Sequence, residues 1–157
     1  MDIEVDDNVW IAAGDGSIER TLAFLGTGSV DVADENGYTP LMAACAYGHI
    51  DLVRELLQRG ADPNRKDSDG NTPVHHCDYA SCLKELVEAG AKVSIRNNDG
   101  QTALEVKEEE LTEAKEEFSD EEELEEGEES SEKRLQALVD GLNQAAVEEE
   151  TRKKKRT

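Results

Sequence analysis

The chain is poor in every feature that marks a membrane, secreted or catalytic protein. No run approaches the ~20 apolar residues a membrane helix requires, so no membrane association is expected. Aromatic residues make up 4% of the 157 positions, and there are three prolines and three cysteines. Cys45, Cys77 and Cys82 are an odd set without framework spacing, which suits reduced thiols rather than disulfides. The opening "MDIEVDDNVW" is acidic, against the expectation for a signal or transit peptide. Positive charge is scarce, with 17 Lys and Arg against 38 Asp and Glu, a net charge of −21. So acidic a chain repels nucleic acid and anionic membranes, and its expected partner is a basic protein. Hydrophobic residues reach 36% and charged ones 35%, too polar for one compact domain throughout.

What the chain does have is internal repetition. "DENGYTPLMAAC" from Asp34 returns as "DSDGNTPVHHC" from Asp67 and, more weakly, as "NNDGQTALEV" from Asn97. Interleaved with it, "LVRELLQRGADPN" from Leu52 recurs as "CLKELVEAGAKVS" from Cys82. The segment Ile11 to Val32 fits the same frame. Within one unit, Asp34-Glu35-Asn36-Gly37 reads as a turn, Thr39 as a helix cap and Pro40 as the first helical residue. A second helix carries Ile50, Val53, Leu56 and Leu57 on one face and stops at Gly60.

The signatures "G-x-TPL", "GH" and "LL-x-x-GAD-x-N" resemble the ankyrin repeat family over roughly residues 6 to 106. The resemblance implies an all-α α-solenoid of about four repeats, two of them degenerate caps, followed by a disordered acidic C-terminal tail. The small residues Ala43, Ala44 and Ala46 then let neighbouring helices approach closely, each unit burying its face against the next. In the first copy Asp7 aligns with Thr39 as a cap, and Trp10 replaces Met42 and can seal the end of the stack. In the third, "CDYASC" shortens the loop between helices.

The expected organisation is a repeat domain over 1–106, an acidic low-complexity segment over 107–130, a short amphipathic helix over 131–147 and a basic end over 148–157. Between Glu105 and Ser130 lie fifteen carboxylates and two lysines. Such a run is a solvated tail, or a screen that shields a basic protein from RNA by imitating a dense polyanion. Leu135, Leu138, Val139 and Leu142 share a helical face that caps the stack or awaits a partner groove. "RKKKR" from Arg152 fits a nuclear import signal or an anion-binding patch. The protein is expected in the cytoplasm, with nuclear entry open.

His75, His76, Cys77 and Cys82 lack the paired ligand spacings of a zinc site, and His75 stands where the family uses a structural histidine. No nucleophile motif or phosphate loop accompanies His49. No catalytic residue, cofactor or metal is therefore expected. The family places its binding surface on the turn tips and the exposed face of the first helices. Here that surface comprises Glu35, Asn36, Tyr38, Ala46, Tyr47, Ser68, Asp69, Asn71, Asp78, Tyr79, Asn98, Asp99 and Gln101. The tyrosines beside acids suit contact with arginine.

These features read as a monomeric, non-enzymatic interaction module. One reading is an adaptor or escort that screens a basic protein. The chain looks like small eukaryotic, fungal-type ankyrin proteins with acidic tails, a group of which in yeast escorts a small-subunit ribosomal protein. The other reading is a regulatory subunit or signalling adaptor that recognises a neutral or hydrophobic partner, with the acidic run only a solubiliser.

Overall fold

The computed structural model describes residues 8–117 and 130–156. Among them the chain forms eight helices and no strand: α1 (Val9–Gly14), α2 (Ile18–Leu25), α3 (Pro40–Ala46), α4 (Ile50–Gln58), α5 (Pro73–His76), α6 (Ala80–Glu88), α7 (Ala103–Glu117) and α8 (Ser131–Lys155). The odd-numbered helices form one row, α1 on α3, α3 on α5 and α5 on α7, and α2, α4, α6 and α8 form a second row behind it. This is the expected α-solenoid of helix pairs.

Local chemistry sets the helix starts. Thr39 accepts from the Met42 N–H, and Pro40 opens α3. The cap of α1 is Asn8, whose side chain accepts from the Trp10 and Ile11 N–H groups. That corrects the assignment to Asp7, which lies outside the described residues; α1 starts one residue later than the alignment with α3 implies. The inner row is thin because its contact residues are small. Ala12, Ala13, Ala43, Ala44 and Cys45 are fully or almost fully buried, so adjacent helices meet close to their backbones.

In the outer row one burial pattern recurs. Leu52, Val53 and Leu56 of α4 are buried, as are Cys82, Leu83 and Leu86 of α6. In α8 the same spacing returns as Leu138, Val139 and Leu142, followed by Ala145. Helix α8 packs on α6 as α6 packs on α4, and against α7 as the partner within its own unit. The amphipathic helix is thus the outer helix of a fourth unit, and it closes the C-terminal end of the stack.

Two boundaries differ from the sequence reading. The fourth inner helix runs on to Glu117, through the first part of the acidic segment, because Glu and Lys favour helix and Leu111 remains buried. The amphipathic helix continues past residue 147 to Lys155. Glu149 holds this extension: its carboxylate accepts from the Val93 N–H at 3.0 Å, the Ser94 N–H at 3.3 Å and the Ser94 hydroxyl, and pairs with Lys153 at 3.1 Å. Half of the expected acidic segment, residues 118–129, falls between two packed helices in chain order and lies outside the described residues.

Candidate functional site

The turns between units project as three polar fingers built on one device. Asp34 Oδ1 accepts from the Asn36 and Tyr38 N–H groups, both at 2.9 Å. Asp67 Oδ1 does the same for Asp69 and Asn71, and Asn97 Oδ1 for Asp99 and Gln101. Gly37, Gly70 and Gly100 close the three turns with φ of 74°, 76° and 78°, and a Cβ on Gly37 would stand 3.0 Å from the Asp67 Cα of the next finger. The fingers are laced together. Ser68 N–H donates to the Asn36 carbonyl at 2.8 Å, Asn98 N–H to that of Asp69 at 2.9 Å, and Asn98 Nδ2 to that of Ser68 at 2.9 Å. Asn71 takes the Asn97 amide at 3.1 Å. Glu35, Asn36, Ser68, Asp69, Asn98 and Asp99 are exposed, while Asn71 and Gln101 are half-buried.

Rings and carbonyls tie one unit to the next along the inner row. The His75 Nδ1 accepts from the Thr72 N–H and hydroxyl, and its Nε2 donates to the Gln101 carbonyl at 3.1 Å. Trp10 does the equivalent at the other end, its indole N–H donating to the Tyr38 carbonyl at 2.7 Å. Trp10 therefore ties the first unit, which has no finger, to the second. Burial lowers the His75 pKa, consistent with a neutral ring in this pattern.

The three tyrosines have different situations. Tyr47, in the α3–α4 loop, is 63% exposed and stacks on His49, whose Nε2 donates to the Gly14 carbonyl at 2.6 Å. Tyr38 is half-buried, edge-on to His76 at 5.2 Å, and burial pushes its hydroxyl up to about 12. Tyr79, in the α5–α6 loop, is covered from within the chain. The Arg134 guanidinium lies 5.0 Å from its ring centroid, and Arg134 Nη1 donates to its hydroxyl at 3.2 Å. Neighbouring Asp78 is also engaged, accepting from Lys107 Nζ at 2.7 Å. Lys107 is 4% exposed and bonds Glu110 as well. Burial works against its charge, but the two carboxylates outweigh it and raise the pKa.

The expected surface is thus divided. Asp78 and Tyr79 serve contacts with α7 and α8, whereas Ala46, Tyr47 and the finger tips remain accessible. Missing from the sequence-based set are Trp10, Ile11, Asp15, Asp34 and Ala43. With Tyr38 and Tyr47 they line a shallow cavity of about 450 Å³ on the inner face. The one available signal was Trp10 itself, a large ring where the other copies carry Met42 and His75. A second cavity, about 520 Å³, separates the Gly90–Ser94 loop from the basic end of α8.

The histidine–cysteine cluster is used up structurally. His76 Nε2 lies 2.7 Å from the Asp67 carboxylate, and the Cys77 thiol donates to the Tyr79 carbonyl at 3.2 Å. Burial pushes the Cys77 thiol up to about 12 and the Cys45 thiol well above its ordinary value, the wrong direction for nucleophiles. Among the described residues no group of three or more His, Cys, Asp or Glu could hold a metal ion.

Comparison with known proteins agrees with this architecture. The family described as "Ankyrin repeats (3 copies)" matches residues 9–97. The ankyrin repeat-containing protein P1E11.10 of Schizosaccharomyces pombe is 45% identical over 101 residues, which cover 63% of this chain and 49% of that protein. SH3 and multiple ankyrin repeat domains protein 2 of Homo sapiens is 36% identical over 76 residues, 46% of this chain and 4% of that protein. The E3 ubiquitin-protein ligase KEG of Arabidopsis thaliana is 34% identical over 101 residues, 60% of this chain and 6% of that protein. The chain spans about half the length of the first of these relatives and under a tenth of the other two.

Proposed function

The chain belongs to the ankyrin repeat family, an interaction fold with protein partners, and on that premise we propose that it is a non-enzymatic adaptor or escort for a basic protein. The observation that carries the reading is the inner face at the first two units. There exposed Tyr47 and Ile11 stand with Trp10 and Tyr38 beside Asp15 and Asp34. Aromatic rings and carboxylates together suit arginine- and lysine-rich surfaces. Acidic fingers extend the same field through Glu35, Asp69 and Asp99, and the run between α7 and α8 adds eight carboxylates over residues 118–129 with no basic residue.

In this reading the repeats hold one patch or segment of the client while the acidic run screens its remaining positive charge. A ribosomal-protein-type client fits that chemistry. The monomeric protein meets its client in the cytoplasm, with Arg152–Arg156 as a candidate import signal.

The test is purification of the tagged chain from its own cells at low salt, followed by elution with rising salt. A basic protein recovered in equal amount and released steeply with ionic strength is the expected result. Ile11, 44% exposed, and Tyr47 favour a second reading, a neutral or hydrophobic partner. A partner retained without regard to salt would select that reading and overturn the first.

A further inference from the structure

We infer that the cavity between α1, α3 and the base of the first finger receives an arginine side chain of the partner. This rests on the proposed basic client and names the group by which the client is read. Trp10, Tyr38 and Tyr47 supply aromatic surface, Ala43 leaves room, and Asp15 and Asp34 stand at the margin of a space of about 450 Å³. A flat guanidinium can lie on a ring while its N–H groups reach a carboxylate. A lysine ammonium can satisfy the carboxylate but does not stack.

The molecule already contains a guanidinium lying on a tyrosine in the next inter-helix loop. Tyr79 in the α5–α6 loop carries the Arg134 guanidinium 5.0 Å from its ring and bonded to its hydroxyl. Tyr79 is the N-cap of α6, the place His49 takes in α4; Tyr47 stands two residues before His49 in the α3–α4 loop, stacks on its ring and is 63% exposed. The chain covers Tyr79 with its own arginine, while Tyr47 rests one side on His49 and keeps most of its surface in solvent. Asp15 pairs with Arg20 at 3.1 Å, but both side chains are substantially exposed, with 60% and 38% of their surfaces accessible. Such a pair is weakly held, so an incoming guanidinium shares or replaces it.

The sequence supplies a reporter, since Trp10 is the single tryptophan. The experiment follows the Trp10 indole N–H resonance of the full chain while N-acetyl-arginine amide, and separately N-acetyl-lysine amide, is added. Both probes carry one positive charge, which removes the general pull of a net −21 chain from the comparison. Expected are a saturable shift with the arginine probe, weaker binding of the lysine probe, and a loss of about two- to fivefold in arginine affinity for Tyr47→Ala, with Tyr47→Phe close to the parent. Tyr47 is a surface residue, so a thermal melt shows that Tyr47→Ala keeps the fold.

Equal binding of the two probes, an indole resonance that does not move, or full arginine affinity in Tyr47→Ala would each overturn the inference. If a basic client still co-purifies under those outcomes, the proposed function stands without this pocket. If the probes behave as expected but no basic client is recovered, the pocket stands and the client class falls.

Discussion

In the second unit, α3 buries every residue from Pro40 to Cys45, whereas α7 in the fourth buries Ala103, Lys107 and Leu111 along one stripe. The outer helices differ in the same sense. α4 buries Leu52, Val53 and Leu56 over nine residues, and α8 repeats that triplet within twenty-five. An interior unit has neighbours on both sides, so its helices are short, apolar and set by close contact. A terminal unit has one neighbour, so its inner helix keeps a single apolar stripe and turns its charge to water. Length, an ion pair on a buried lysine and the Glu149 clasp then secure what shape complementarity secures in the middle.

The sharpest way to break this comparison is to delete the same side chain from both units. Leu56 and Leu142 are both 0% exposed and occupy the same place in the triplet. Leu56→Ala is expected to lose about 2–5 kcal/mol in urea denaturation. Leu142→Ala should lose at least about 2 kcal/mol, since it leaves a comparable cavity against α6 and α7. A loss below about 0.5 kcal/mol for Leu142→Ala would make α8 an adjunct rather than the outer helix of a fourth unit.

The legible part of the fold was the part with conventional loop lengths. Thr39-Pro40, Thr72-Pro73 and the glycines of the fingers declared two units outright, because capping and turn chemistry are local. The fourth unit announced itself through its finger and inner helix, but its outer helix was hidden by distance. Cys82 follows Leu52 by thirty residues, but Leu138 follows Cys82 by fifty-six, so the triplet fell out of period and read only as an amphipathic helix. The candidate surface was partly legible for the same reason. Finger tips and Tyr47 follow from local pattern. That Arg134 covers Tyr79, or that a lysine in an acidic run is buried on Asp78, depends on how α7 and α8 dock, and no local rule carries that.

A second comparison lies at the joint between third and fourth units, where His75 ties Thr72 to Gln101. His75→Ala leaves the buried Thr72 N–H without its acceptor, at a cost of about 1–3 kcal/mol. The pH dependence carries a sign. The folded pKa of His75 is lowered below its ordinary 6.5 by burial, so the unfolded chain binds the proton more readily. Its contribution is therefore complete above about pH 6.5 and declines as pH falls beneath it. Denaturation of parent and variant between pH 7.5 and 5 should show the parent losing stability faster on acidification. A parallel decline in both would remove the neutral ring from the account.

The smallest expected change in stability comes from exchanging residues 118–129 for a Gly-Ser linker of the same length, which leaves α7 and α8 as they are. With loop length fixed, closure entropy is nearly unchanged, and removing eight carboxylates from a chain of net charge −21 relieves self-repulsion. The melting behaviour should therefore stay within about 1 kcal/mol of the parent. Binding should not stay unchanged. If the acidic run screens the client, affinity for a basic protein falls and its dependence on salt becomes shallower, because fewer charge contacts remain to be screened. A large loss of stability would mean that the segment carries part of the fold, and that the fourth unit differs from the second by more than an insertion between its helices. Unchanged affinity and salt slope would leave recognition entirely to the tyrosine-lined face of the first two units.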